Sequence, residues 1–222
     1  MARGGQGPQA GGAGLTAPGA GTRTTFHHGD LERAALDAAL SILEGQGPAA
    51  LTLRSVAASV GVNHRALYRR FASHEALLLD VAGRGFGMLA DRLEQAGALP
   101  GASPEGRMAR AYAGFALEHP HLYDLMYSLP LKGLFRTEDG AGPALRRLVA
   151  GAAAIVAPER PDPGSAEDRA LRDRVVRVWG LAHGLVTLYR AGALWARGDA
   201  DALDYIARAA DAMAGQASGA GG

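Results

Sequence analysis

Between Thr52 and Leu78 the chain reads TLRSVAASVGVNHRALYRRFASHEALL, and its spacing of small and apolar residues demands two short helices meeting through a tight turn. Leu53, Val56, Ala57 and Val60 recur on one face of a helix of about two turns, with Thr52 placed to cap it. Helices that meet at a large angle need a small residue where they touch and one tolerant of left-handed geometry at the turn; Ala57 and Gly61 answer both needs. Leu67 and Phe71 form the inward side of the helix that starts at Asn63. Val56, Val60, Val62 and Leu67 then lock the pair against a preceding helix and hold the second one outward.

The outward side carries residue types suited to a DNA groove. Helical spacing puts His64 and Tyr68 on one exposed line and Arg65 and Arg69 on the next. Arg65 can donate two hydrogen bonds to a guanine edge, while Asn63 or His64, near the helix start, reaches bases or phosphates. Tyr68, Arg69, His74 and Thr52 are better placed for the phosphate backbone, which positions a protein without reading sequence. Arg54 suits either role. Charge agrees with this placement: residues 1–74 hold seven arginines against Asp30, Glu32, Asp37 and Glu44, whereas the whole chain of 222 residues carries a formal charge of only +1. A local basic patch on a nearly neutral protein is the footprint of a module that touches phosphates.

Around this segment the pattern is all-α. Residues 1–25, rich in Gly and Ala with scattered Pro, contain no periodicity from which to build a core and are expected to be a disordered tail. A first helix begins near His28 or Asp30, with Leu31, Ala35, Ala38 and Ile42 on one face, and stops at Gly45 and Gly47-Pro48. Ser73 is placed to cap a fourth helix running to about Gln95. Further helices are expected over 105–118, 121–129, 143–157, about 165–195 and about 200–214, each bounded by Gly or Pro, and the last two have the apolar stripes of a helical-bundle interface. The division expected is a DNA-binding domain over 26–74, with its helix-turn-helix at 52–71, a helical ligand-binding and dimerisation domain over 75–215, and a frayed tail over 216–222.

Exclusions narrow the function. Without cysteine the chain has no disulfide, no thiolate nucleophile and no cysteine-ligated zinc. No charge-free apolar run is long enough to span a membrane, and no basic start with an apolar stretch marks a signal peptide, so the expected location is the cytoplasm. His119-x-His121 has metal-ligand character with only Glu118 and Asp124 nearby, but Pro120 suits the first position of a helix and makes His119 a helix-start residue. Gly83, Gly85 and Gly87 follow no strand and lack the last glycine of a phosphate loop. They fall inside the fourth helix, where glycine costs about 0.5–1 kcal/mol relative to alanine, and are expected to make it soft. No catalytic residue, metal site or cofactor is expected.

In Thr52-x-Arg54-x-x-Ala57, Gly61-Val62, Leu67-Tyr68-x-x-Phe71 and His74-Glu75-x-Leu77 the chain resembles the TetR (tetracycline-repressor-like) transcriptional regulators over about 50 residues, counting the first helix. The resemblance implies a three-helix DNA-binding unit, a connecting fourth helix, a ligand domain, and a homodimer formed through the last two long helices. It implies binding to a duplex operator and release by a small-molecule effector. Where that family most often has His and Lys, this chain has Arg70 and His74. Further along, His119-Pro120-His121-Leu122-Tyr123 and Trp179-Gly180-Leu181-Ala182-His183-Gly184 resemble the Trp-x-x-x-His-Gly type of C-terminal domain. Tyr112, Phe115, Met126, Tyr127 and Phe135 are candidates to line an effector pocket. Trp179 and His183, four apart, line that pocket or belong to the core or dimer interface. The competing reading is a small helical ligand-binding protein or enzyme without DNA binding; the chain offers it no nucleophile and base at motif spacing.

Overall fold

The computed structural model describes residues 28–97, 103–129 and 141–219, and among these stand nine α-helices and no strand. The helices are α1 (His28–Gln46), α2 (Leu53–Val60), α3 (His64–Tyr68), α4 (His74–Gly97), α5 (Pro104–Glu118), α6 (Pro120–Ser128), α7 (Ala141–Val156), α8 (Ala166–Arg190) and α9 (Asp199–Gly219). A single 3-10 turn, Pro48–Ala50, follows α1.

Local chemistry sets the boundaries of the first three helices. Gly47, at φ +80°, ends α1, and Pro48 opens the 3-10 turn. Thr52 and Ser55 form a reciprocal capping box at the start of α2: Thr52 Oγ1 accepts from the Ser55 N–H and Ser55 Oγ accepts from the Thr52 N–H, both at 3.0 Å. At the other end of α2, Gly61 takes φ +74°; its N–H bonds the Ala58 carbonyl while Val62 N–H reaches back to Ala57. This is the paired closure of a Schellman motif, and its left-handed residue is best met by glycine. Asn63 caps α3 through its side chain, which accepts from the Arg65 N–H at 2.9 Å. Val56, Leu67 and Phe71 are buried beneath, with Ala35, Ala39 and Leu43 of α1.

The remaining helices gather around α5. Ala109, Tyr112, Ala113, Phe115 and Ala116 are buried on it, and only its Arg110 and Glu118 are exposed. It packs against α4, α6, α7, α8 and α9. Connecting helix α4 packs more extensively against α7 than against any other helix and also meets α1 and α6, so it belongs to both halves of the molecule.

Two boundaries differ from expectation. Helix α8 stops at Arg190, five residues before Trp195, because Gly192 adopts φ +74° while Gly192 N–H bonds Tyr189 and Ala193 N–H bonds Leu188, a second Schellman closure. Trp195 therefore stands in the loop before α9 and is 96% exposed. Helix α9 continues to Gly219, so residues 216–219 of the expected C-terminal tail are helical. The expected tail over 1–25, the end of the chain at 220–222 and Phe135 lie outside the described residues.

Candidate nucleic-acid interface and effector site

Capping, turn and core residues use up most of the side chains around α2 and α3; what remains defines a surface. Asn63, His64, Arg65, Tyr68 and Arg69 are all exposed, as is Arg54 on α2. Tyr68, 54% exposed, stacks edge-on with His64 at a centroid distance of 6.2 Å. Among the described residues Arg54, Arg65 and Arg69 have no ion-pair partner, which leaves three exposed cations of the helix-turn-helix available to an anionic polymer.

Other basic residues of the segment have internal duties. Arg70 pairs with Glu32 on α1 and lies 3.5 Å from Asp80 on α4, its guanidinium 5.0 Å from the Phe71 ring centroid. The Arg70 hydrogen bond holds the Glu32 carboxyl below its usual range. Arg70 is thus a clamp between helices. His74 is also engaged: its Nε2 sits 2.7 Å from the Leu51 carbonyl oxygen, where it must donate, and a second donor on that ring requires the imidazolium form. Thr52 Oγ1 is bound within the capping box, so the groups α2 offers an anion there are the backbone N–H groups of its first turn.

A second cluster is buried between α5, α6 and α8. The Trp179 Nε1–H donates to Tyr112 Oη at 3.1 Å, Tyr112 Oη lies 3.1 Å from Tyr123 Oη, and His183 Nδ1 lies 2.5 Å from Tyr123 Oη and 3.0 Å from Tyr112 Oη. Burial pushes the Tyr112 and Tyr123 phenols up, keeping both protonated, and pushes His183 down, favouring the neutral ring. One assignment satisfies these four groups: Trp179 donates to Tyr112, Tyr112 to Tyr123, and Tyr123 to a neutral His183 whose Nδ1 accepts. Tyr127 closes the cluster, its ring 4.8 Å from Tyr123 and 4.9 Å from His183. Its hydroxyl is buried beside Tyr112 and Trp179, outside the hydrogen-bonded chain and with no partner among the described residues.

Of the expected pocket residues, Tyr112, Tyr127, Trp179 and His183 come together. Phe115 and Met126 do not. Phe115 is buried with its ring 5.1 Å from that of His119. Met126 packs on α4: a Cβ at Gly85 would stand 2.5 Å from Met126 Sδ. That close approach gives Gly85 a packing reason separate from any softness of α4, which runs unbroken from His74 to Gly97. Tyr123 was missed by sequence reasoning, although its spacing of four from Tyr127 puts both on one helical face.

Helix α6 also touches the DNA-facing half. His119 makes no side-chain cap at its start; instead Glu44 of α1 accepts a hydrogen bond from the Leu122 N–H at 2.9 Å. No group of three or more His, Asp or Glu suited to a metal ion occurs among the described residues, and none of their helices is long and apolar enough to cross a membrane.

A rigid helix-turn-helix presenting unpaired cations, joined by one long helix to a helical body, defines a DNA-binding transcriptional regulator. Comparison with known families agrees: bacterial regulatory proteins of the tetR family match residues 35–81, and the tetracyclin repressor-like C-terminal domain matches residues 106–213. The chain belongs to the TetR family. A protein of unknown function from Rhodococcus sp. RHA1 is similar in structure, with 28% identity, a TM-score of 0.62, and coverage of 86% of this chain and 96% of that one. A TetR-like transcriptional regulator from the same organism shares the fold at 19% identity, with a TM-score of 0.53 and coverage of 86% and 99%. So does a possible TetR family transcriptional regulator from Streptomyces coelicolor A3(2), at 23% identity, a TM-score of 0.52 and coverage of 71% and 69%. Among curated proteins none matches the chain.

Proposed function

We propose that the chain is a cytoplasmic repressor that binds a palindromic operator as a homodimer and is released by a small-molecule effector. The observation that carries the DNA side is the exposed trio Arg54, Arg65 and Arg69, without ion-pair partners among the described residues, beside His64 and Tyr68. In this reading residues 26–74 are the DNA-binding domain and 75–215 the sensing and dimerisation domain. Arg65 reads a base edge; Tyr68, Arg69 and the first turn of α2 hold phosphates; Asn63, His64 and Arg54 flank them. His74 acts through Leu51, fixing the loop that presents Thr52.

The dimer reading rests on α8 and α9. Val176, Gly180, Gly184 and Leu188 follow one another every four residues along α8, with Val176 and Leu188 exposed and open space over both glycines. Trp195, in the loop before α9, and Tyr205, on α9, are further exposed large apolar side chains. Such a surface marks an association site, and small residues allow helices to approach closely.

The effector is assigned to the cluster of Tyr112, Tyr127, Trp179 and His183, with Tyr123, in a domain of the Trp-x-x-x-His-Gly type. Displacing α6 there is felt by α1 through Glu44 and by α4 through Gly85, which gives the ligand a route to the spacing of the two heads. Titration of a duplex selected from random sequence tests the DNA side. Affinity should fall steeply with salt, by about 0.9 log units per tenfold salt for each phosphate neutralised, and equal affinity for an unrelated duplex would refute the reading.

A further inference from the structure

We infer that His74 is a proton-gated phosphate contact, so that the protein holds DNA more tightly in mild acid and takes up a proton at this ring when it binds. The inference rests on the reading above that places a phosphate at the first turn of α2. The ring belongs to an exposed residue, yet one of its nitrogens has a fixed role. Nε2 lies 2.7 Å from the Leu51 carbonyl oxygen, which only accepts, so Nε2 carries a hydrogen whatever the charge of the ring. The neutral ring therefore keeps a bare lone pair at Nδ1, and the imidazolium turns Nδ1 into a charged donor. Leu51 directly precedes Thr52, the cap of α2, which brings the ring beside the N–H groups assigned to the phosphate. There a neutral His74 offers phosphate oxygens a lone pair and ring carbons, whereas the imidazolium offers a charge and a charge-assisted hydrogen bond.

The surrounding charges leave that place to DNA. Among the described residues Nδ1 has no hydrogen-bond partner and the ring no ion pair. The segment over 47–62, which holds Leu51 and α2, has Arg54 as its one charged residue and no carboxylate. Each carboxylate of α1 is engaged elsewhere: Asp30 with Arg33, Glu32 with Arg70, Asp37 with Arg84, and Glu44 with the Leu122 N–H. On α4, Asp80 lies 3.5 Å from Arg70, and Glu75, adjacent in sequence, projects from a different side of the helix. His74 also opens α4, and the N-terminal end of a helix favours an anion. Histidine exchanges its proton between about pH 5 and 8, so the anion that DNA supplies decides the charge of this ring. By linkage, a proton that strengthens DNA binding is itself taken up when DNA binds.

Affinity for a duplex selected from random sequence, measured from about pH 6 to about pH 8.5 at constant ionic strength, tests this. The wild type should bind about tenfold more tightly per protomer at the acid end, the worth of one charge-assisted hydrogen bond. Its salt slope should be steeper there by about one phosphate's share. Unrelated duplexes should gain by the same factor, because a phosphate contact reads no sequence. His74→Gln, which can still donate to the Leu51 carbonyl but takes no charge, should lose the gain. His74→Lys, a cation throughout, should bind equally at both ends. His64→Gln, which changes the exposed histidine of α3, should bind less tightly and keep the gain. Urea unfolding of each variant at both ends separates a folding defect from a lost contact. An unchanged gain in His74→Gln, a gain in His74→Lys equal to that of the wild type, or its disappearance in His64→Gln would overturn the inference. So would a gain confined to the selected duplex, which would make His74 a base contact. Absence of salt-dependent binding at every pH would bring down the interface reading together with this one, whereas salt-dependent binding without a His74 share overturns this one alone.

Discussion

Arginine does opposite work at the two ends of the molecule. In the helical body many arginines are paired: Arg92 with Glu118, Arg110 with Asp204, Arg147 with Asp91 and Glu94, Arg174 with Glu105, and Arg190 with both carboxylate oxygens of Asp124 at 2.6 and 2.8 Å. On α2 and α3 the exposed Arg54, Arg65 and Arg69 have no such partner among the described residues. Paired cations join helices to one another and are already neutralised; unpaired ones keep their full charge for a ligand. Arg70 marks the border, since it lies one residue from Arg69 in sequence yet is spent on Glu32. Basic composition alone therefore overstates the DNA-facing charge.

The contrast breaks first at Arg174. Glu105 is only 3% exposed, so Arg174→Ala leaves a buried carboxylate without its main partner and should cost about 3 kcal/mol of stability in urea unfolding. The salt dependence of operator binding should not change. Arg65→Ala should do the reverse, lowering operator affinity by about 1–3 kcal/mol and flattening preference at one base pair while leaving urea unfolding alone. Arg69→Ala should weaken all duplexes alike and reduce the salt slope by about one phosphate's share. At the small end, Arg84→Ala removes an exposed pair with Asp37 at 2.6 Å and should cost at most about 1 kcal/mol of stability.

Acid sharpens the same comparison. His183 is held below its usual 6.5 by desolvation, so the unfolded chain binds the proton first. Its contribution to stability is complete above pH about 6.5 and declines as pH falls below that value toward its folded pKa. Protonation also turns Nδ1 from acceptor into donor and breaks the chain from Trp179. Urea midpoints between neutral pH and pH about 5 should fall less in His183→Gln than in the wild type; equal falls would remove His183 from the account. The carboxylates depressed by arginine, Glu118 and Asp124 among them, lose their contribution only at lower pH.

Much of the head was legible because its constraints are local. Thr52, Ala57, Gly61 and Asn63 act on neighbours within five residues, so spacing alone announces them. His74 and Arg70 show where that legibility ends: their partners, Leu51 and Glu32, are far off in sequence, and a free basic residue and a clamped one look identical in a string of letters. The helical body depends on such distant meetings. Tyr112, Tyr123 and His183 converge from three helices, while Phe115 and Met126, equally apolar in sequence, turn into the core. The end of α8 was available in Ala191-Gly192 but was masked by the apolar run that continues to Trp195. Gly85 read as softness because sequence shows a missing side chain and not the methionine that fills its space.

The most direct test takes the operator selected by the purified protein and titrates Arg65→Ala against that operator and every single base-pair substitution of it. The account predicts an uneven loss: affinity falls on the selected sequence, and the variant becomes indifferent at one base pair in each half-site. A loss of the same size on every duplex would make Arg65 a phosphate contact and contradict the division of labour on α3.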